Sequence, residues 1–286
     1  MSLPTPAMPT PTGAQPWPPV SLLIPTLNEA QSLPHVLPRI PASVSQVVIV
    51  DGGSTDDTVE VARSLRPDAV VVRQTRKGKG NALVCGFEAC TGDIVVMIDA
   101  DGSTAPEEIE NFVRALVEGA DFAKGSRYAD GGASHDLTWM RSWGNRFLNG
   151  VVNALFRTRY SDLCYGYNAI WRHRLAELRL PPADDGTAGG KPQWGDGFEI
   201  ETMVNIRAAV LGMRIAEVPS VEQSRIHGVS KLSATRDGIR VLRTILSEYA
   251  VRHRLRTSPM PVPELRQPHP APQVPAYMPA LAPEES

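Results

Sequence analysis

Short, continuously apolar segments recur through the first half of this sequence, and a polar turn follows most of them. Val20–Pro25 and Gln46–Val50 are the clearest, and Ala69–Val72, Asp93–Ile98 and Phe122–Ser126 come after them. A strand whose residues are all apolar is buried on both faces, as in parallel sheets covered by crossover helices. The pattern therefore predicts an α/β chain with a mostly parallel sheet and helices on both faces.

Helices are predicted between and after these strands. Ser54 with Asp57, and Thr104 with Glu107, have the spacing of a capping box, which predicts that helices begin at Ser54 and at Thr104. Apolar periodicity predicts the remaining elements. They are helices over Gly80–Cys90, Arg141–Phe156, Ile200–Leu211 and Ala234–Arg254, and a strand over Met213–Val218.

Proline is concentrated at the two ends of the chain. Of 26 prolines in 286 residues, seven lie in residues 1–19 and nine in residues 257–286. Because proline fixes φ and removes a backbone donor, we expect two disordered tails around one domain, residues 20–256. Within that domain, the regular strand–helix alternation of residues 20–126 distinguishes a first half from a less regular second half, residues 127–256.

Composition excludes several classes of protein. A formal net charge of −2 argues against nucleic-acid binding, because no general basic field is present to neutralise phosphates. The three cysteines are unclustered, which fits neither a disulfide framework nor a zinc site. No signal peptide is recognisable, and no apolar run approaches the roughly 18 residues of a membrane span. We therefore expect a cytoplasmic protein that is at most peripheral at the inner face of the membrane.

Carboxylate and amide side chains follow three of the predicted strands. They are Asn28–Glu29, Asp51, and the pair Asp99 and Asp101. In open α/β sheets, ligands bind at the carboxyl ends of the strands. The first half of the chain is therefore predicted to form a ligand site.

The segment Asp99–Ala100–Asp101 directly follows a buried strand. Two carboxylates at positions i and i+2 of a turn can hold a hard divalent cation and leave coordination sites for water and phosphate oxygens. The alternative is an exposed acidic turn before the next helix. The position after an apolar strand favours the metal site.

Two further segments have both a structural and a functional interpretation. A tight turn would account for the glycines of Asp51–Gly52–Gly53, but it does not require Asp51. The carboxylate of Asp51 could accept hydrogen bonds from a base or a ribose hydroxyl. Residues 76–81, RKGKGN, form a basic lead into a helix, where backbone N–H groups suit an anion. A solvated loop explains the same residues equally well.

Four ordered motifs carry a resemblance to a known family. They are IPTLNE, VVIVDGGSTDDT, RKGKGNAL and GDIVVMIDADGST, and together they resemble the nucleotide-sugar half of a family 2 glycosyltransferase with the Rossmann-like GT-A fold. The later segments AKGSRY, RSWGN, DLCYGYNAIWR and RIHGVSKL are most similar to polyprenyl-phosphate sugar synthases of the dolichyl-phosphate mannose synthase type. The resemblance covers residues 20–256.

The resemblance implies a role for each matching residue. Residues 20–126 would bind the nucleotide sugar, and residues 127–256 would bind the acceptor. The nucleotide-sugar residues would be Pro25, Thr26, Asn28, Glu29, Asp51, Lys79, Gly80 and Asp99. Mg²⁺ or Mn²⁺ would be held by Asp99, Asp101 and Ser103, although Ser103 stands where the synthases often have a longer amide. The phosphate and acceptor residues would be Arg127, Arg141, Arg225 and Lys231.

The resemblance implies an inverting hexosyltransferase, and its acceptor decides whether a general base is needed. A polyprenyl monophosphate already carries a nucleophilic oxyanion, so arginines would only position it. A soluble hydroxyl acceptor, such as a phosphorylated metabolite or a natural product, would need a base, for which Asp162, Asp196 and Glu199 are candidates. A non-catalytic nucleotide-sugar-binding protein is a further alternative. A nucleotidyltransferase would usually show a glycine-rich loop where Thr26–Glu29 stands.

A basic amphipathic segment closes the second half. Residues 236–256 carry six arginines beside the apolar face of Ile239, Leu242, Ile245 and Leu246. Such a helix can lie on an anionic membrane surface or pack against the domain with a solvated basic side. We favour packing, with the basic end free to touch lipid head groups.

Overall fold

The computed structural model describes residues 17–135, 138–184, 193–227 and 234–257. The two predicted tails therefore lie almost wholly outside the described residues. The strands of the described part are β1 (Val20–Thr26), β2 (Gln46–Asp51), β3 (Val70–Arg73), β4 (Ile94–Met97), β5 (Phe122–Ser126), β6 (Ala133–Ser134), β7 (Asn168–Trp171), β8 (Ile215–Pro219) and β9 (Val221–Glu222). The helices are α1 (Leu33–Val36), α2 (Thr58–Leu65), α3 (Lys79–Ala89), α4 (Ile109–Val117), α5 (Trp139–Phe156), α6 (Glu199–Val210) and α7 (Ala234–Thr257).

Seven strands form one sheet in the order β3-β2-β1-β4-β7-β5-β8. All of them run parallel except β7, which is antiparallel to both of its neighbours. The predicted α/β fold with a mostly parallel sheet is confirmed. Strand β7 was not predicted, because its four residues lie in a segment without clear periodicity. It carries residues of the second half into the centre of the sheet.

Alternating side chains of the strands pack against helices on opposite faces. In β1, Leu22 and Ile24 join a core with Phe112 of α4, whereas Leu23 joins a second core with Leu83 of α3. A third apolar cluster lies between α5, α6 and α7. Both faces of the sheet are therefore covered, which is why its strands are continuously apolar.

The two predicted capping boxes are wrong. Helix α2 begins at Thr58, and the Ser54 hydroxyl instead accepts a hydrogen bond from the backbone N–H of Asn28. Helix α4 begins at Ile109 after a 3₁₀ turn over Pro106–Glu108, and the Thr104 hydroxyl donates to the carbonyl of Asp99. In both cases the hydroxyl bonds to a residue that follows a strand, Asn28 after β1 or Asp99 after β4, so these side chains shape the loops at the carboxyl edge of the sheet.

The basic carboxy-terminal helix α7 packs on the domain, as favoured from its sequence. Its Glu248 is buried and accepts hydrogen bonds from both Nε and Nη2 of Arg207 on α6, at 2.8 Å each. Ile245 is fully buried, whereas Ile239 and Leu246 are exposed. In the described part of the chain, no helix is long and apolar enough to cross a bilayer.

Candidate active site at the carboxyl edge of the sheet

The parallel register brings the predicted strand-end residues to one edge. Thr26 at the end of β1 pairs with Asp51 at the end of β2, which in turn pairs with Arg73 of β3. A cleft of about 560 Å³ opens beside these strand ends. It is lined by Leu27, Asn28, Gly52, Gly53, Arg73, Gln74, Thr75, Arg76 and Lys77. The prediction that the strand ends converge is confirmed.

Asn28 and Asp51 fix the loops that border this cleft. Asn28 has a left-handed backbone, with φ of 59°, and its side-chain oxygen accepts a hydrogen bond from Thr55 N at 2.8 Å. The buried carboxylate of Asp51 accepts from the backbone N–H groups of Gly53 and Ser54, at 3.1 and 3.0 Å. The structure thus gives Asp51 the turn role, and its contact with a base or a ribose remains a prediction.

The other predicted nucleotide-sugar residues of β1 are distributed around the same edge. Thr26 is buried and donates its hydroxyl hydrogen bond to the carbonyl of Val50. The backbone N–H of Glu29 donates to the hydroxyl of Thr58. Pro25 lines a separate small cavity of about 10 Å³, together with Asp99 and Asn168. Thr26 and Glu29 therefore hold the cleft in shape.

Lys79 is half-buried between two carboxylates, one from each half of the chain. Its Nζ lies 2.6 Å from Oδ1 of Asp99 and 2.6 Å from Oε1 of Glu201 on α6. Burial by itself would lower the pKa of Lys79, but the two ion pairs outweigh it and raise that pKa above its ordinary value. Lys79 is therefore a fixed positive charge beside Asp99. The sequence indicated neither this triad nor a role for Glu201 in it.

The Lys79 triad borders the small cavity, which has room for about one water molecule. Asn168 of β7 lines it too, and the buried Oδ1 of Asn168 has no hydrogen-bond partner among the described residues. The antiparallel strand β7 therefore brings a polar side chain to the cavity that Lys79 and Asp99 line. Without an indication of β7 in the sequence, Asn168 was not predicted.

Asp101 is held by the loop that follows β9. Nη1 of Arg225 lies 2.7 Å from Oδ2 of Asp101, and the backbone N–H of Ile226 donates to the carbonyl of Asp101. Between Asp101 and Ser103, Gly102 has φ of 80°, and a Cβ there would overlap the Ile226 side chain. The loop after β9 therefore packs directly against the turn after β4.

The turn after β4 has the donor chemistry of a divalent-cation site. Asp99, Asp101 and Ser103 supply two carboxylates and a hydroxyl, and hard oxygen ligands suit Mg²⁺ and Mn²⁺. In the described ranges, no group of three or more His, Cys, Asp or Glu side chains is arranged to hold a metal. These residues fit an ion whose coordination is completed by phosphate oxygens and water, as is usual for Mg²⁺.

Arg127, which follows β5, and Asp162 form a buried bidentate ion pair. Arg127 Nε and Nη2 contact the two Asp162 oxygens at 2.7 and 2.9 Å, and Nη1 contacts Glu222 at 3.0 Å. Asn145 of α5 donates to Oδ1 of Asp162 at 2.8 Å. Burial would raise the pKa of Asp162, but the hydrogen bonds and charge of Arg127 hold it below its usual value.

This pair changes what the two residues can do. A buried carboxylate with a lowered pKa and both oxygens occupied is a poor general base. A guanidinium engaged on three sides must exchange partners before it can bind a phosphate. The structure thus shows Asp162 and Arg127 linking α5, β5 and β9, and their catalytic and phosphate contacts remain predictions.

Asp196 is paired with Arg76 across the sequence. Arg76 Nε and Nη2 contact the two Asp196 oxygens at 2.8 and 2.9 Å, and both side chains are buried. The carbonyl of Asp196 accepts hydrogen bonds from the N–H groups of Gly80 and Asn81. A Cβ on Gly80 would overlap the carbonyl oxygen of Gly195, so glycine permits this close approach.

The contacts of Asp196 bear on the two interpretations of residues 76–81, an anion site and a solvated loop. The amino-terminal N–H groups of α3 are capped by the carbonyl of Asp196, so this lead is neither an open anion site nor a solvated loop. Lys77 lines the large cleft. The segment therefore anchors the loop before α6 and borders the cleft with one further cation.

Glu199 opens α6 and is buried. Its Oε1 accepts from the backbone N–H groups of Gly195 and Gly197, at 3.1 and 3.2 Å. Its Oε2 has no hydrogen-bond partner among the described residues, and Nε of Arg240 lies 3.8 Å away. Of the three carboxylates predicted as bases, Glu199 alone retains an oxygen without a hydrogen bond.

The two remaining predicted acceptor residues lie in the second half. Arg141 is half-buried in the first turn of α5, where its backbone N–H donates to the capping hydroxyl of Thr138. Lys231 lies outside the described residues. Their contacts with an acceptor remain predictions.

Comparison with known proteins agrees with this geometry. The pattern of the family described as glycosyl transferase family 2 matches residues 21–178. A polyprenol monophosphomannose synthase of Mycolicibacterium smegmatis is 33% identical over 244 residues, which span 82% of this chain and 88% of that protein. The glycosyltransferase AglJ of Haloferax volcanii is 31% identical over 236 residues, 81% of this chain and 70% of that protein.

Solved structures show the same fold. A glucosyl-3-phosphoglycerate synthase from Mycobacterium tuberculosis, in complex with Mn²⁺, UDP and glucosyl-3-phosphoglycerate, superposes with a TM-score of 0.62 and 23% identity. The match covers 82% of this chain and 80% of the synthase. The matched family pattern spans β1 to β7, the strands that build the cleft and the Asp99–Asp101 turn. The chain belongs to glycosyl transferase family 2 and is a glycosyltransferase with a GT-A-like fold.

Proposed function

We propose that this enzyme transfers a hexose from a nucleotide-diphospho-sugar to a polyprenyl monophosphate, with inversion at the anomeric carbon and with Mg²⁺ or Mn²⁺. The observation that carries the choice of acceptor is the state of the three carboxylates predicted as bases. Arg127 occupies Asp162, Arg76 occupies Asp196, and backbone N–H groups hold Glu199. A phosphate acceptor needs no general base, so this arrangement suits it.

The nucleoside of the donor is assigned to the cleft beside Asn28 and Gly52. The cleft has the size of a small-molecule site and combines backbone groups with the cationic side chains of Arg73 and Lys77. Pairing of the three strand ends fixes its walls. The sugar and diphosphate then extend from the cleft toward Asp99, where Lys79 already supplies a positive charge.

Asp99, Asp101 and Ser103 would hold the divalent cation. When bound, that ion neutralises the charge that builds up on the diphosphate as the glycosidic bond breaks. Lys79 keeps Asp99 oriented through an ion pair that is itself anchored on Glu201. Arg225 lies on the other side of the turn, where its guanidinium can orient a phosphate.

The chemical step needs no proton transfer with this acceptor. A phosphate oxygen of the acceptor attacks the anomeric carbon on the face opposite to the donor diphosphate. The new carbon–oxygen bond forms while the bond to the diphosphate breaks, and the nucleoside diphosphate leaves with the bonding electron pair. The protein contributes position and charge, the two terms that dominate when the nucleophile is already an anion.

One observation favours a second candidate, transfer to a soluble hydroxyl acceptor. The buried Oε2 of Glu199 has no hydrogen-bond partner among the described residues, so Glu199 could accept a proton from a hydroxyl. The synthase of known structure that shares the fold is in complex with glucosyl-3-phosphoglycerate, the product on a soluble acceptor. A non-catalytic nucleotide-sugar-binding role is the third possibility to be tested.

A four-sample assay separates these candidates. The purified chain is incubated with Mn²⁺ and either GDP-mannose or UDP-glucose, each with and without a short polyprenyl phosphate, and released nucleotide and lipid-linked sugar are measured. Sugar on the lipid supports the proposed acceptor. Nucleotide release without lipid product indicates a hydroxyl acceptor and makes Glu199→Gln the next variant. Donor binding by calorimetry without turnover would indicate a binder.

A further inference from the structure

Helix α5 presents a row of large apolar side chains to solvent. Trp139, Trp143 and Phe147 are 77%, 68% and 62% exposed, and Met140 beside them is 53% exposed. Positions i, i+4 and i+8 lie on one face of a helix, so the three aromatic side chains form a continuous stripe. We call these four residues the aromatic stripe. Solvent-exposed aromatic clusters of this kind mark interaction surfaces.

The charged residues of α5 itself and of the turn that follows it have one sign. Residues 138–161 contain four arginines and no aspartate or glutamate, although the whole chain has a formal net charge of −2. Of these arginines, Arg146, Arg157 and Arg159 are exposed. A helix with tryptophan and phenylalanine on one side and arginine beside them has the composition of a helix that lies in a lipid interface.

The neighbouring helix, α7, also exposes basic and apolar side chains. Helix α7 packs against α5, where Phe156 and Tyr249 meet edge to face at a centroid distance of 5.7 Å. Its sequence carries six arginines against one aspartate and one glutamate. Ile239, Leu246 and Arg243 are exposed on it. The two packed helices therefore form a region that is basic and partly apolar.

The inner face of α5 faces the acceptor side of the site. Asn145 donates to Asp162, the partner of Arg127, and Ser142 accepts from the hydroxyl of Tyr128. The diameter of a helix with its side chains is about 10 Å, so the aromatic stripe lies roughly one helix thickness from these residues. A surface that contacts the stripe is thereby placed close to the acceptor half of the enzyme.

From these observations we infer that the aromatic stripe of α5 is a docking surface for an anionic lipid bilayer. Tryptophan side chains favour the head-group level of a membrane, and each nearby arginine adds electrostatic attraction to anionic lipids. A second copy of this chain is a poorer occupant, because a two-fold interface through this face would place the arginines of both copies together. The inference goes beyond the proposed function, since it does not depend on which acceptor is used.

Vesicle binding of the full chain tests the inference without donor or polyprenyl phosphate. We expect the protein to float with phosphatidylcholine vesicles that contain about one third phosphatidylglycerol, and to bind pure phosphatidylcholine more weakly. Brominated lipids should quench its tryptophan fluorescence. The variant with Trp139→Gln, Trp143→Gln and Phe147→Gln should bind at least about tenfold more weakly, because it lacks the three aromatic side chains that would insert into the bilayer.

Matched controls separate the stripe from general surface hydrophobicity. Val117→Gln and Leu65→Gln remove exposed apolar side chains of other helices and should bind vesicles like the unaltered chain. Arg146→Glu should weaken binding to anionic vesicles and leave binding to neutral vesicles unchanged. Thermal unfolding checks that every variant is folded.

Three results would overturn the inference. One is unaltered vesicle binding by the triple variant, which would assign the binding to another part of the chain. Another is the absence of binding by the unaltered chain. The third is a dimer in sedimentation that the triple variant abolishes. Because vesicle binding is measured without substrates, failure of the proposed acceptor would leave these results unchanged.

Discussion

The guanidinium of Arg225 forms an ion pair with the carboxylate of Asp101, with 2.7 Å between Nη1 and Oδ2. Asp101 lies in the turn after β4 and Arg225 in a loop 124 positions later, so only the fold joins them. Under the proposed function, this pair would place a cation beside the diphosphate of the nucleotide sugar and its metal ion. Removing Asp101 should therefore have a different effect from removing Arg225, and both effects can be measured.

Loss of the Asp101 carboxylate should abolish turnover. Asp101→Ala removes a predicted metal ligand and also leaves Arg225 without this partner. We expect no detectable product at ordinary Mn²⁺ concentrations and weaker Mn²⁺ binding by electron paramagnetic resonance. Retained activity with normal Mn²⁺ affinity would remove the metal assignment.

Loss of Arg225 should affect catalysis but spare the metal. Arg225→Ala removes a charge-assisted contact. The resulting fall in kcat/KM should correspond to a loss of at least about 2 kcal/mol of transition-state stabilisation. Mn²⁺ binding without nucleotide should be as tight or tighter, since a competing cation has left Asp101. An unchanged kcat/KM would show that the loop is purely structural.

The buried pair of Arg76 and Asp196 should matter for stability. Asp196→Asn leaves a buried guanidinium without its counter-charge and should lower the free energy of unfolding by about 3 kcal/mol or more, measured in urea. The exposed pair of Arg39 and Glu107 is the matched control, and Glu107→Gln should cost less than about 1 kcal/mol. Equal effects of the two variants would contradict the structural role of Asp196.

Asp162 should make the thermal stability of the protein depend on pH in the acid range. Its folded pKa is depressed below the value in the unfolded chain, so its contribution is present above the unfolded pKa and is lost as pH falls through the folded pKa. We expect Tm to fall below about pH 4, and Asp162→Asn to weaken this dependence while lowering Tm at neutral pH. Equal acid-side loss of Tm in both proteins would argue against this ion pair.

The proline-rich ends should be dispensable for activity. Deletion of residues 1–16 and 258–286 removes segments whose composition cannot form a packed core, and it keeps Trp17, which packs against the core of the sheet. We expect unchanged kcat/KM and an unchanged Tm. A folded but inactive product would show that one of these segments acts in the mechanism.

How well a contact could be predicted from the sequence depended on whether a local pattern signalled it. The convergence of Asn28, Asp51 and Asp99 was predictable, because parallel strands with apolar residues align their carboxyl ends at one edge. The pairs of Arg76 with Asp196 and of Lys79 with Glu201 were not, since each joins residues about 120 positions apart without any local signal. The capping boxes failed because residues that follow strands took the place of the local cap: Asn28, which is distant from Ser54 in the chain, and Asp99, which lies only five positions before Thr104.

The antiparallel strand β7 has a consequence for engineering. It lies between β4 and β5, so hydrogen bonds from the second half complete the middle of a sheet that the first half begins. Cutting the chain after residue 126 would expose the ladder edges of β4 and β5 and invite aggregation. Chimeras between relatives should therefore be joined after Trp171, so that β4 and β5 keep the strand that pairs with them.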